Sequence, residues 1–193
     1  MTRRQPLRSA LSALVLASAL LCASACASTA PAEAGEAITL DSPAVALEGT
    51  RYLEVRVGAT LDAPPEAVWA VLTDGSRYTE WNSTLITFEG TVAEGETVRL
   101  VAKTDPDRSF ELAVSEVREH AGMVWSDGGR AFRGERTFTL EPVGDGQTAF
   151  TMKEVFTGSM MGMIAPKLPD FRPAFDDFAR DLGAEAARVA AAQ

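Results

Sequence analysis

The chain has 193 residues, of which 46% are hydrophobic and 23% charged, with a formal net charge of −9. That length suits one domain with a sizeable core. The negative balance repels phosphate backbones and anionic lipid surfaces, which excludes nucleic acid as a partner and charge as a route to membranes.

The first eight residues, MTRRQPLR, hold three arginines and no acid, and an apolar run from Ala10 to Ala25 closes on the small residues around Cys26. A basic start, a short apolar stretch and an A-x-A-like site read as a secretory signal over residues 1–25. The run is too short for a membrane span, which needs about 20 apolar residues. "ASAC" resembles the lipobox of bacterial lipoproteins, although Ala23 stands where Leu is usual. Cys26 is then the lipidated first residue of a protein held at the membrane by its N-terminal lipid. Plain cleavage to a soluble exported protein is the second reading, and an uncleaved anchor the third. "TRRQPL" also resembles a twin-arginine signal, with Pro6 in place of the preferred Phe. Both cysteines, Cys22 and Cys26, lie in this segment, so the folded part has no disulfide, cysteine nucleophile or thiolate metal site. Signal removal takes away three positive charges and leaves a net charge of about −12. Ser28 to Leu47 is mostly Ala, Pro, Glu, Gly, Ser and Thr. Residues 26–47 therefore read as a flexible tether, and 48–193 as the folded domain.

The folded part opens with "RYLEVRVGATL", which alternates Leu53, Val55 and Val57 against Glu54 and Arg56. This pattern predicts a strand with one buried face. "PPEAVWAVLTD" predicts a short helix and "GSRYTEWN" a second helical turn. Strand patterns follow at Thr84–Thr91, Glu96–Lys103, Arg108–Val117 and Met123–Ser126, punctuated by Gly, Asp, Pro or Asn. A hairpin runs from Gly134 to Gly158. The last segment spaces Phe171, Phe175, Phe178, Leu182, Ala186 and Val189 by threes and fours. That is a long amphipathic helix, with Asp170 as its N-cap and Pro173 in its first turn. Seven strands with short turns imply an antiparallel sheet in an α+β fold, and the long helix is the one element large enough to cover it.

The hairpin presents a puzzle. Its apolar face carries Phe138, Leu140, Phe150, Met152 and Phe156, but also Arg136 and Glu154. Both strands use even positions on that face, so paired numbers must sum to an even value. A three-residue loop, Gly144-Asp145-Gly146, sets residue 143 opposite 147 and therefore Arg136 opposite Glu154. Each charge then partners the other. The pair is either a half-wet structural bridge or the polar handle of an apolar cavity, and the second is favoured because buried ionisable groups cluster at sites. A carboxylate beside a guanidinium is a candidate base rather than an acid.

Other chemistries find little support. The one histidine, His120, sits in a turn between two strands, and no acidic cluster has metal-ligand spacing. No metal or cofactor is therefore expected. "EGTVAEGETV" and "VGDG" lack phosphate-loop spacing and read as turns.

The ordered set "ATLDAPPEAVWAVLTD", "YTEWN", "FEGTVAEGETV", "RGERTFTLEPVGDGQTAFTMKEVFTG" and "PDFRPAFDDFARDL" resembles the SRPBCC, or START-like, superfamily. Within it, the chain is similar to the polyketide cyclase/dehydrase branch. The resemblance implies a helix-grip fold, a curved seven-stranded antiparallel sheet around the C-terminal helix, with two short helices between strands one and two. It also implies an apolar cavity between sheet and helix for lipids, sterols, polyketides or other hydrophobic molecules. In that frame Phe138, Met152 and Phe156 of the hairpin, and Phe171, Phe175 and Phe178 of the helix, face the cavity. Trp125 lines it or packs in the core. Met160 and Met163 of "GSMMGMIAPK" gate its entrance, as loops at this position do in similar proteins. The leading expectation is an exported, lipid-anchored binding protein for a small hydrophobic molecule. The runners-up are a cyclase or hydratase with Glu154 as base and Arg136 as electrophile, and an interaction module whose cavity is closed.

Overall fold

The structure is a computed structural model that describes residues 37–192. The signal, Cys26 and the tether up to Glu36 lie outside the described residues. The alternating stretches pair into one antiparallel sheet of eight strands. In chain order these are β1 (Ser42–Gly49), β2 (Tyr52–Leu61), β3 (Leu85–Glu89), β4 (Thr97–Ala102), β5 (Ser109–Arg118), β6 (Gly122–Gly128), β7 (Arg133–Val143) and β8 (Gln147–Thr157). In space the order is β1-β2-β8-β7-β6-β5-β4-β3. Two short helices, α1 (Pro65–Thr73) and α2 (Tyr78–Trp81), carry the chain from β2 to β3. A single turn, α3 (Met161–Ile164), precedes the long α4 (Arg172–Ala190). This is the helix-grip arrangement of the α+β class.

The strand count departs from expectation by β1. β1, whose residues 42–47 were read as tether, pairs with β2 from Ser42↔Gly58 to Gly49↔Tyr52. The inward residues of β1 are alanines, Ala44 and Ala46, while Val45 and Leu47 stay exposed. With so little apolar contrast facing inward, the period-two signal was absent. The Ala44 N–H donates to Asp176 Oδ1 of α4 at 2.7 Å and ties the edge strand to the helix.

The helix buries Phe175, Phe178, Leu182 and Ala186 against the sheet and α1. Each Val, Leu or Phe buried in this way contributes about 1.5–3 kcal/mol. Asp170 is not the N-cap, which is Phe171, whose carbonyl accepts the Phe175 N–H at 3.0 Å. Asp170 sits one residue earlier and still accepts the free Arg172 N–H at 3.1 Å. Pro173 lies in the first turn, where no helical N–H is missed.

The corner between α2 and β3 is held by Asn82, which is 2% exposed. Its Oδ1 accepts both the backbone N–H (2.9 Å) and the hydroxyl (2.7 Å) of Thr84. Tyr78 is fully buried beside it and donates its hydroxyl to the Leu72 carbonyl at 2.8 Å.

The chain's two tyrosines both resist ionisation. Burial pushes the Tyr78 phenol up, against a small opposing effect of the Arg136 charge. Burial, then the hydrogen bond to Glu54, pushes Tyr52 up to about 12. An unfolded tyrosine titrates near 10, so above that pH the unfolded chain has lost protons that the folded chain still holds. The tyrosines' contribution to stability should therefore be constant up to about pH 10 and fall as pH rises toward 12. Ultraviolet titration should show almost no tyrosinate absorbance in the folded protein at about pH 10.5, and about three-quarters of full absorbance in denaturant.

Candidate ligand cavity

Pairing across the sheet sorts its inward side chains into rows. One row is Val114, Trp125, Arg136, Glu154 and Val55, each paired with the next across β5, β6, β7, β8 and β2. The row on one side of it is Met123, Phe138, Met152 and Val57, none more than 4% exposed. That direction is solid core. The row on the other side is Asp127, Gly134, Phe156 and Leu53. Here the packing opens.

The opening is a cavity of about 120 Å³ between the sheet and the start of α4. Arg136 and Glu154 line it on one side, with Asp127 and Phe156 in the next row. Leu100, Phe110, Leu112 and Phe132 continue the sheet wall, and Phe171, Ala174 and Phe175 supply the helix side. Thr84, Asp105 and Arg108 also reach it. Gly134 helps to create the space. A Cβ there would stand 2.7 Å from Asp127 Oδ1 and 3.5 Å from the Phe156 ring, so any side chain would fill the gap next to Arg136.

The hairpin register is the one the parity of its apolar face required. Val143 pairs with Gln147 across Gly144-Asp145-Gly146, and Arg136 pairs with Glu154. Gly144 and Gly146 take positive φ values of 60° and 76°, the conformation the tight loop needs. The Arg136 Nε and Nη2 groups both donate to Glu154 Oε2, Nε at 3.0 Å. The guanidinium also lies 5.3 Å from the centre of the Phe175 ring. Glu154 Oε1 accepts no hydrogen bond among the described residues. The side chains are 22% and 14% exposed, so the pair is neither on the surface nor sealed.

Phenylalanines divide at this row. Phe156 stacks between Phe132 (5.8 Å) and Phe171 (5.2 Å) on the cavity side. On the core side Trp125 packs edge-on to Phe138 at 5.0 Å, and Phe178 lies near Trp81, Phe138 and Phe150.

The family model for polyketide cyclase / dehydrase and lipid transport matches residues 52–192. The chain belongs to that family. The match begins at β2, so β1 lies outside it. No curated protein matches the sequence. Among solved structures, a norcoclaurine synthase point mutant from Thalictrum flavum, in complex with a transition state analogue, is similar with a TM-score of 0.56 at 10% identity, over 74% of this chain and 98% of that one. A START superfamily protein from Mycobacterium smegmatis gives 0.53 at 17% identity, over 70% and 98%. Protein MLL2253 from Mesorhizobium loti gives 0.52 at 20% identity, over 70% and 97%. At these identities the likeness is one of fold, the START-like helix grip.

Of the residues singled out in the sequence, the structure brings Arg136, Glu154, Phe156, Phe171 and Phe175 to one cavity. It does not bring Phe138, Met152 and Phe178 there; they lie in the core row or beside it, at most 3% exposed. Trp125 is 1% exposed and takes the core reading, because Tyr78, Phe88 and Phe138 surround its ring. Met160 and Met163 are 41% and 62% exposed and line no wall of the cavity, because the chain turns into α3 and buries Met161 instead. The segment that borders the cavity lies later, at Leu168 and Pro169. Sequence reasoning missed Asp127, Arg108 and Gly134. Asp127 could have been found by extending the strand at Trp125 by two residues on the same face.

Breaking a sealed ion pair costs about 3–5 kcal/mol and an exposed one less than about 1 kcal/mol. With this pair between those limits, Glu154→Gln or Arg136→Met alone should cost about 2 kcal/mol in denaturant unfolding. The double change Arg136→Met with Glu154→Leu should recover most of that loss, since it leaves no charge unpaired.

Proposed function

We propose that this protein binds a small hydrophobic molecule in the cavity between β3–β8 and the start of α4, with the Arg136–Glu154 pair as its polar handle. One observation carries the reading. The pair sits on the boundary row, with packed core on one side and an apolar cavity on the other. A purely structural bridge has no need of a cavity against it. Glu154 Oε1 and the arginine Nη1 group, free of hydrogen bonds to other described residues, offer a ligand one acceptor and one donor. The family's description, with its lipid transport, fits such a role.

Volume limits the ligand. A cavity of about 150 Å³ holds benzene, and drug-sized ligands occupy about 300–1,000 Å³. At about 120 Å³ this cavity is somewhat smaller, so a single ring fills it and any larger part of a ligand must lie toward its open side or part α4 from the sheet. Ala174 tests this: it contributes a small side chain to the wall from α4. Ala174→Leu should abolish binding of benzyl alcohol in calorimetry without lowering the unfolding midpoint. Unchanged binding would place the site elsewhere.

A cyclase or hydratase reading keeps one supporting feature, the unbonded Glu154 Oε1 facing a substrate-sized space. Glu154→Gln separates the two. Loss of turnover with affinity retained would make the protein an enzyme; loss of affinity alone supports the carrier.

We propose further that the protein works at the cell envelope, lipidated on Cys26. The support is the basic start, the short apolar run and the small residues before Cys26. Between Cys26 and Asp41 the chain can reach at most about 50 Å, so the domain would stay near the membrane. Cys26→Ala should move the protein from the membrane fraction to the soluble fraction. If the mature chain starts at Ser28, the lipid anchor is wrong.

A further inference from the structure

The charges around the cavity do not cancel. Glu154, Asp127 and Asp105 line it, against Arg136 and Arg108. The wall therefore carries one negative charge in excess. Arg136 is taken up by Glu154, at 3.0 Å through Nε. Asp127 has no comparable partner. Its Oδ1 accepts the Gly134 N–H at 3.2 Å, but Oδ2 has only Arg108 Nη2 at 4.0 Å, beyond hydrogen-bond reach. Arg108 is 53% exposed and lies over the Phe110 ring at 4.5 Å, whereas the Asp127 side chain is 17% exposed. A mostly buried carboxylate with a loose partner is costly to hold, and a ligand cation would offset that cost.

The rest of the wall suits the same ligand. Phe110, Phe132, Phe156, Phe171 and Phe175 surround the space. Aromatic faces attract cations and also bury an apolar body. Phe156 lies across Gly134 from Asp127 in one row. The chain's net charge of −9 raises the local concentration of cations around the whole molecule.

We propose that the cavity selects a small organic amine, its protonated nitrogen against Asp127 and its hydrophobic body among the phenylalanines. This rests on the binding reading above and narrows it to a charge class. Organic acids are excluded by the excess negative charge, and neutral molecules bind without using Asp127.

The benzyl series tests this at constant size. Benzylamine, benzyl alcohol and benzoate are titrated into the full chain by calorimetry at low and matched ionic strength. Benzylamine should bind roughly tenfold or more tighter than benzyl alcohol, and benzoate weakest. Asp127→Asn should bring the affinities for the amine and the alcohol together. If wild-type protein binds benzyl alcohol as tightly as benzylamine, the amine proposal is overturned while the cavity stands. If Asp127→Asn keeps the preference for the amine, Asp127 is not the anchor and the proposal fails. If none of the three binds, both this proposal and the cavity reading are wrong.

Discussion

A charged pair set into an apolar sheet face constrains everything around it. Arg136 and Glu154 are directly opposite on β7 and β8, so neither can leave without stranding the other. Val114, Trp125 and Val55 of their row are each 1% exposed, but at the pair itself guanidinium and carboxylate need polar partners or water at the positions they do not share. The Met123–Phe138–Met152–Val57 row has no such demand and closes completely. The row beyond the pair has Gly134 in line with Arg136, and the wall opens there. The two charges thus fall in the register at the edge of the cavity.

That register depends in turn on the three-residue turn Gly144-Asp145-Gly146. A slip of one residue would set the apolar face of one strand outward and separate the charges. The outer contacts are arranged to hold it. β8 pairs with β2 from Tyr52↔Thr157 to Leu61↔Thr148, so the hairpin is fixed on both of its long sides. The helix closes the assembly: Phe178 belongs to the core and Phe175 to the cavity, one turn apart on the same face.

Much of this was legible in the sequence, and the limits have physical causes. Period-two alternation and small turn residues were enough for the strands from β2 onward, and parity of the apolar face together with the three-residue loop was enough to pair Arg136 with Glu154. Strand β1 was not legible, because Ala44 and Ala46 bury little and its larger residues face out. The depth of a side chain along a strand was not legible either. Trp125, Phe138 and Met152 share a face with the cavity residues, and alternation assigns a face but not a row. Only the cross-strand register separates Phe138 from Phe156. Likewise, the methionines of α3 could not be sorted by composition; one helical turn buries Met161 and turns Met160 and Met163 outward.

The proposed polar handle is a pair rather than a lone charge, which bears on what the cavity would discriminate. A lone arginine would draw any anion, and a lone glutamate any cation. Bonded together through one carboxylate oxygen, they present a donor and an acceptor with almost no net field. Under the amine proposal, charge selection falls to the next row, where Asp127 has Arg108 Nη2 no nearer than 4.0 Å. In the proposed function the two rows divide the work: the pair would read hydrogen-bonding shape, and Asp127 sign. Gly134, paired with Asp127 and two residues before Arg136, puts no side chain beside either, since a Cβ there would stand 2.7 Å from Asp127 Oδ1.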